Sequence, residues 1–282
     1  MKKLFLLFLF CNLTLSGFAF SMGDMFIYNS RFWQNKLSLD LLQNEIFSTG
    51  LSFDITEHKD IDDKIYAFRA PLMLDFSILN LVLEPFIYPD ISNNAQAYGG
   101  NITLTSMIKS DDINNTYAHG YLRAAFANQK ANIARGTLPQ NKEDFKQFAF
   151  EGGLNFNLAN LYNFNFSGNI FTYPDKVKNI SYFGGIMNQN ELADLGTIDY
   201  VLNFPNFSLG GNIVWLSQEN NTKTSIGYKY INYEHNLIAH SVMIKTIIPL
   251  REKLLTTLIY NHVFETNHKN KDLFSIGLNY LF

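Results

Sequence analysis

Residues 161–170 read Leu-Tyr-Asn-Phe-Asn-Phe-Ser-Gly-Asn-Ile. In an extended chain, Tyr162, Phe164, Phe166 and Ile170 share one face, and Asn163, Asn165, Ser167 and Asn169 share the other. Only a strand separates residues this way, because successive side chains point to opposite sides of a sheet. The pattern recurs along the chain. In 147–158, Phe148, Phe150, Leu154, Phe156 and Leu158 oppose Gln147, Glu151, Asn155 and Asn157. In 197–204, Ile198, Tyr200, Leu202 and Phe204 oppose Thr197, Asp199 and Asn203, and in 66–76 Tyr66, Phe68, Leu72, Leu74 and Phe76 oppose Arg69 and Asp75. A helical period is almost nowhere to be found. Such a chain folds as antiparallel sheet and must hide one face of it from water.

The two ends indicate what does the hiding. Residues 272–282 place Phe274, Ile276, Leu278, Tyr280 and Phe282 on one face, and the chain stops on that last aromatic ring. This strand resembles the closing strand of bacterial outer-membrane β-barrels, the porin-like class. The amino terminus agrees. Met1-Lys2-Lys3 is a short cationic segment, 4–10 is apolar, and Gly17-Phe18-Ala19 offers small residues where a signal peptidase reads. We expect a signal peptide over 1–19 and a single barrel over 20–282. The resemblance implies the outer membrane of a Gram-negative-type bacterium, with lipid outside the wall and water inside it.

Composition fits that reading. Aromatic residues make up 15% of the chain, with 26 Phe and 15 Tyr. The mean hydropathy of −0.06 resembles that of a soluble protein, as expected when half of every strand faces water. No segment beyond the signal has the run of about 18 apolar residues that a membrane helix needs. A net charge of −3 gives no footprint for nucleic acid. Cys11 is the only cysteine and lies in the signal segment, so neither a disulfide nor a cysteine nucleophile is expected after cleavage.

Both ends of such barrels lie in the periplasm, where turns are short. Counting back from Phe282 gives alternating strands at 253–265, 238–249, 222–234, 207–218, 196–204, 179–187, 161–173, 145–158, 117–128, 98–109, 79–88, 64–76, 46–55, 36–42 and 25–30. With the closing strand the fold class is an all-β, closed antiparallel transmembrane β-barrel of about sixteen strands. Fourteen is the alternative, with 25–42 as an N-terminal luminal or periplasmic segment. Segment 129–144 reads as the long outer connection and as the loop most able to fold inward.

If the apolar faces meet lipid, the charged residues sort inward: Lys36, Asp40, Asp54, Arg69, Asp75, Glu84, Lys109, Arg123, Glu151, Asp199, Lys229 and Lys245. Six are acidic and six basic, which argues against strong ion selectivity. Tyr88, Tyr117, Tyr121 and Phe171 add a few inward aromatic rings. The expected function is passive passage of small hydrophilic solutes. The alternatives are a non-transporting surface, structural or adhesin barrel and a rim-site enzyme. Only His240 and His262 bear on the last. They would stand directly opposite each other if the intervening turn centred on Arg251. They are weak metal candidates, since no HExxH or zinc-ribbon spacing supports them, and an interfacial pair at headgroup level is the plainer reading. No catalytic residue, metal or cofactor is expected. Expected partners are outer-membrane lipid, the barrel-assembly machinery acting on Phe274, Ile276, Leu278, Tyr280 and Phe282 as an insertion signal, and small solutes. Oligomeric state stays open.

Overall fold

The computed structural model describes residues 21–28, 32–43, 46–58, 64–76, 78–89, 95–111, 115–133, 141–173, 205–233, 238–266 and 270–282. These form one sheet: β1 (Ser21–Tyr28), β2 (Phe32–Gln43), β3 (Phe47–His58), β4 (Ile65–Arg69), β5 (Leu72–Asp75), β6 (Leu79–Tyr88), β7 (Ala95–Asp111), β8 (Thr116–Ile133), β9 (Asn141–Leu158), β10 (Tyr162–Thr172), β11 (Pro205–Leu216), β12 (Lys223–Tyr233), β13 (Ile238–Arg251), β14 (Leu254–Glu265) and β15 (Lys271–Leu281). β4 and β5 both pair with β3 on one side and β6 on the other, so they are halves of one stave. The break falls at Ala70-Pro71, where proline lacks the N–H that the ladder needs. Ala70 N–H still donates to the Pro85 carbonyl, and the Pro71 carbonyl accepts from Gly50 N–H, both at 3.1 Å.

The wall therefore has fourteen staves, and it closes. β1 pairs with β2 on one edge and with β15 on the other, from Ser21↔Leu281 to Tyr28↔Phe274. Closure leaves no unpaired strand edge, a condition for crossing hydrocarbon with strands. Sixteen staves are overturned by a single pairing. β10 bonds directly to β11, from Tyr162↔Trp215 to Ile170↔Phe207. The strands expected at 179–187 and 196–204 lie outside the described residues, and this ladder has no place for them between its two members. The count of fourteen matches the alternative, but for a different reason: within 25–42 the described residues, 25–28 and 32–42, are part of the wall, in β1 and β2. The expected loop at 129–144 is also wall for much of its length, since β8 and β9 stay paired up to Gln129↔Phe145 and Ile133↔Asn141.

Local chemistry sets the tight turn between β9 and β10. Ala159 and Asn160 take φ of 52° and 55°, a left-handed turn whose twist follows that of the flanking strands, between Leu158 and its ladder partner Tyr162. Leu161 N–H closes it on the Leu158 carbonyl at 3.0 Å, and the Asn157 side chain accepts from Asn160 N–H at 3.1 Å.

Parity then divides the wall. Outward positions carry Leu122, Ile170, Leu209 and Phe150, exposed by 69, 61, 57 and 56%. So continuous an apolar belt is tolerable only against lipid. Rings gather at both margins, as interfacial aromatic residues do in membrane barrels. Tyr228, Tyr230, Tyr260 and Phe264 lie toward the end where the long connections are, and Tyr162, Trp215 and Tyr280 toward the short-turn end.

Candidate functional site

Three sectors make up the inward wall. The first is ionic and spans β2 to β6. Arg69 lies between two carboxylates, 3.6 Å from Asp54 and 3.5 Å from Glu84, and its guanidinium donates to Tyr88 Oη at 3.2 Å. The Arg69 and Asp54 side chains are only 6% and 2% exposed. Neighbouring staves hold these groups in one row, because Lys36 pairs with Asp54, Asp54 with Ala67, and Arg69 with Phe86. Asp75 accepts from Asn80 Nδ2 at 3.3 Å, and Ser21 Oγ donates to Asp40. A second ion pair crosses β8 and β9, with Arg123 3.8 Å from Glu151, which also accepts from Tyr121 Oη at 2.7 Å. Lys229 and Lys245 lie on the inward parity of β12 and β13.

One of the twelve charged positions departs from this pattern. Lys109 follows a bulge between Met107 and Lys109 that shifts the register, so it pairs with Ala118 on the outward parity, at the short-turn end where its charge reaches water. Asp199 lies outside the described residues.

The second sector is apolar, a feature the alternating pattern had not suggested. Ile27, Ile231, Tyr233, Ala239, Val263 and Leu273 all sit on inward parity toward the outer ends of β1 and β12 to β15, at 0–8% exposure. Their signal in the sequence is a loss of alternation. The stretch Lys229-Tyr-Ile-Asn-Tyr233 has apolar or aromatic residues on both faces, as a strand buried on both sides would. Phe86 was missed for the same reason. It packs edge-on against Tyr88 at 5.8 Å, among inward neighbours.

The third sector is neutral and polar. Toward the short-turn ends of β7 to β12 the wall encloses a recess of about 640 Å³, lined by His119, Asn155, Asn163, Asn165 and Asn212 among others. Tyr117 packs edge-on against His119 at 5.1 Å.

The histidines anticipated as a pair do not meet. His240 pairs with Phe264 and His262 with Val242, because the turn centres on Glu252-Lys253 and not on Arg251. Both face outward. Tyr228 Oη lies 2.6 Å from His240 Nδ1, and Asp272 Oδ1 lies 2.6 Å from His262 Nδ1. Among the described residues no group of three or more His, Cys, Asp or Glu converges as a metal site would. Phe274, Ile276, Leu278 and Tyr280 face outward at 42–55% exposure, and the Phe282 ring packs on Tyr280 at 5.2 Å.

No protein-family model matches the chain, and no curated protein sequence does. Solved structures do resemble it. The CymD monoaromatic hydrocarbon channel superposes with a TM-score of 0.53 at 9% identity, covering 93% of this chain and 87% of that one. Pseudomonas aeruginosa OccK8 (OprE) gives 0.50 at 8% identity, over 89% of this chain and 71% of that one. The NanC porin gives 0.49 at 7% identity, over 93% and 99%. At such identities the likeness is one of fold. This chain has the fold of porin-type outer-membrane barrels. With its lipid-facing belt, that fold places it in the outer membrane of a Gram-negative-type bacterium.

Proposed function

We propose that the protein is a passive channel for small hydrophilic solutes, with a lumen of mixed charge. The observation that carries this is the inward wall of a closed barrel of fourteen staves, with ion pairs on β3 to β6 and on β8 and β9, and asparagines around a recess of about 640 Å³. Eight strands make a barrel that wall side chains can fill, and sixteen to eighteen leave an aqueous channel. Fourteen is close to the second regime. In this reading residues 1–19 are an export signal, residues 20–282 are the barrel, and the closing strand with Phe282 is what the barrel-assembly machinery engages. No catalytic role, cofactor or metal enters the proposal.

The test is electrical. Folded protein reconstituted into a planar lipid bilayer is expected to give discrete conductance steps. Persistent silence from a preparation that still shows heat-modifiable migration would overturn the channel. That silence would favour a non-transporting surface barrel, a reading supported by the apolar inward cluster around Ile231 and Val263, which leaves part of the wall dry.

A further inference from the structure

The neutral recess differs from the rest of the inward wall. Its floor is a row of amides: His119 pairs with Asn155, Asn155 with Asn165, and Asn165 with Asn212. Asn165 Nδ2 donates to Asn212 Oδ1. Asn157 and Asn163 pair with each other in the next row toward the turn. Among the described residues no carboxylate lines the recess, and the one cationic amine there, Lys223, sits at the short-turn end of β12. The Arg123–Glu151 pair is one row farther from that end than Tyr121.

The polar lining of the recess is also incompletely satisfied. Thr103 Oγ1, Asn155 Oδ1, Asn163 Oδ1 and Asn212 Nδ2 have no hydrogen-bond partner among the described residues. Thr103 and Asn212 are each 4% exposed. Buried polar groups are normally paired, so unmatched ones call for a partner. Here they are two kinds of acceptor and an amide donor, gathered on one patch of wall.

An aromatic ring borders the same patch. A Cβ on Gly153 would come within 2.3–2.5 Å of Tyr121 Cε1, Cζ and Oη. The phenol therefore lies across Gly153, which only glycine at that position permits. Its Oη is tied to Glu151 on the same strand as Gly153, at 2.7 Å. The ring is thus held along the wall and leaves the recess open.

We propose that this recess is a binding subsite for a neutral, multiply hydroxylated solute, that is, a sugar moving through the lumen. The inference rests on the channel reading and gives it a substrate class. Each primary amide offers two donors and an acceptor, which suits vicinal hydroxyls that both give and accept. An apolar ligand would leave these groups unpaired. A charged one would meet no converging opposite charge among the described residues. A ring held along the wall supplies a surface for the C–H face of a pyranose.

The experiment uses the whole folded chain in planar bilayers, with sucrose and maltose as probes. A polyethylene glycol of matching size and the galacturonate anion serve as comparators. The sugars are expected to produce saturable, transient blocking of the current that the polymer and the anion do not. Tyr121→Ala and Asn165→Leu should each raise the half-blocking concentration about tenfold, read against each variant's own current in salt alone, the scale of one or two lost hydrogen bonds or ring contacts. Asn163→Ala supplies a second amide variant should Asn165→Leu fail to assemble, with the same rise expected. Conducting channels in which sugars act no differently from the polymer would overturn the subsite and leave the channel standing. So would sugar blocking unchanged in the variants. Without conductance the channel reading falls, and calorimetry of the detergent-solubilised barrel with maltose then decides the subsite, binding supporting it and no heat of binding overturning it.

Discussion

Arg69 lies between Asp54 and Glu84, with Tyr88 on a third side, and almost none of it reaches solvent. Removing one partner from such a cluster leaves the others as buried charges without compensation. Arg69→Met is therefore expected to lower unfolding stability by about 3–5 kcal/mol. Urea titration in lipid vesicles measures this, and a midpoint equal to that of the parent chain would refute it. The combined change Arg69→Met, Asp54→Asn and Glu84→Gln should recover part of the loss, since neither carboxylate is then left as a buried charge and only Lys36, across from Asp54, stays charged in the row. Asp24 poses the opposite case. It pairs with Leu37 and Leu278 on the outward face, where Asn35 Nδ2 donates to it at 2.5 Å. A carboxylate facing lipid gains little there, so Asp24→Leu with Asn35→Leu is expected to raise the same midpoint and leave conductance unchanged. Neither environment was legible in the sequence. Alternation placed Arg69 and Asp54 on one face, but which inward charges become neighbours depends on the register between staves. Strand 36–42 alone says nothing about Asp24, whose parity is set by its ladder with β15.

At the level of elements, alternation identified most staves, because lipid on one side and a polar lumen on the other impose a period of two throughout. It failed where the environment is the same on both faces, as at Ile231 and Tyr233, and where a bulge changes parity, as at Lys109. It also could not show that β10 bonds to β11 across a connection running from 174 to 204, since a strand's partner is a tertiary fact. The amide row was present as Asn155, Asn157, Asn163 and Asn165, but Asn212 joins it only through that same pairing. β1 matters more than its eight residues suggest. It supplies both closing ladders, and without it β2 and β15 would each present an open edge to hydrocarbon. Removing 21–28 while keeping the export segment is expected to abolish the heat-modifiable folded form. A folded band of normal mobility would show that β1 is dispensable. Deleting Phe282 touches no ladder pair, so the finished barrel should keep its stability. Outer-membrane assembly at native expression is instead expected to fall, and unchanged assembly would count against its role as an insertion signal.

The whole barrel sets its own ion preference through the arrangement of its inward charges. Arg123–Glu151 holds its opposite signs within 4 Å, and the two carboxylates of Asp54–Arg69–Glu84 are met by Arg69 within 4 Å and by Lys36, which stands across the ladder from Asp54. Seen from an ion near the axis, such groups act as dipoles, whose fields decay faster than those of single charges. At physiological ionic strength the field is further screened over about 8 Å. Selectivity should therefore be weak despite the number of charges, and the reversal potential in a tenfold potassium chloride gradient should stay well below the Nernst limit for either ion. Neutralising one member of a pair converts a dipole into a net charge. Arg123→Gln leaves Glu151 in place and is expected to move the reversal potential toward that of a cation-preferring channel. The shift should grow as salt is diluted, because the screening length lengthens. Glu151→Gln should move it the other way. If both variants kept the parent reversal potential at every salt concentration, Arg123 and Glu151 would not be adjacent to the conducting path. Ions would then have to pass along another sector of the wall.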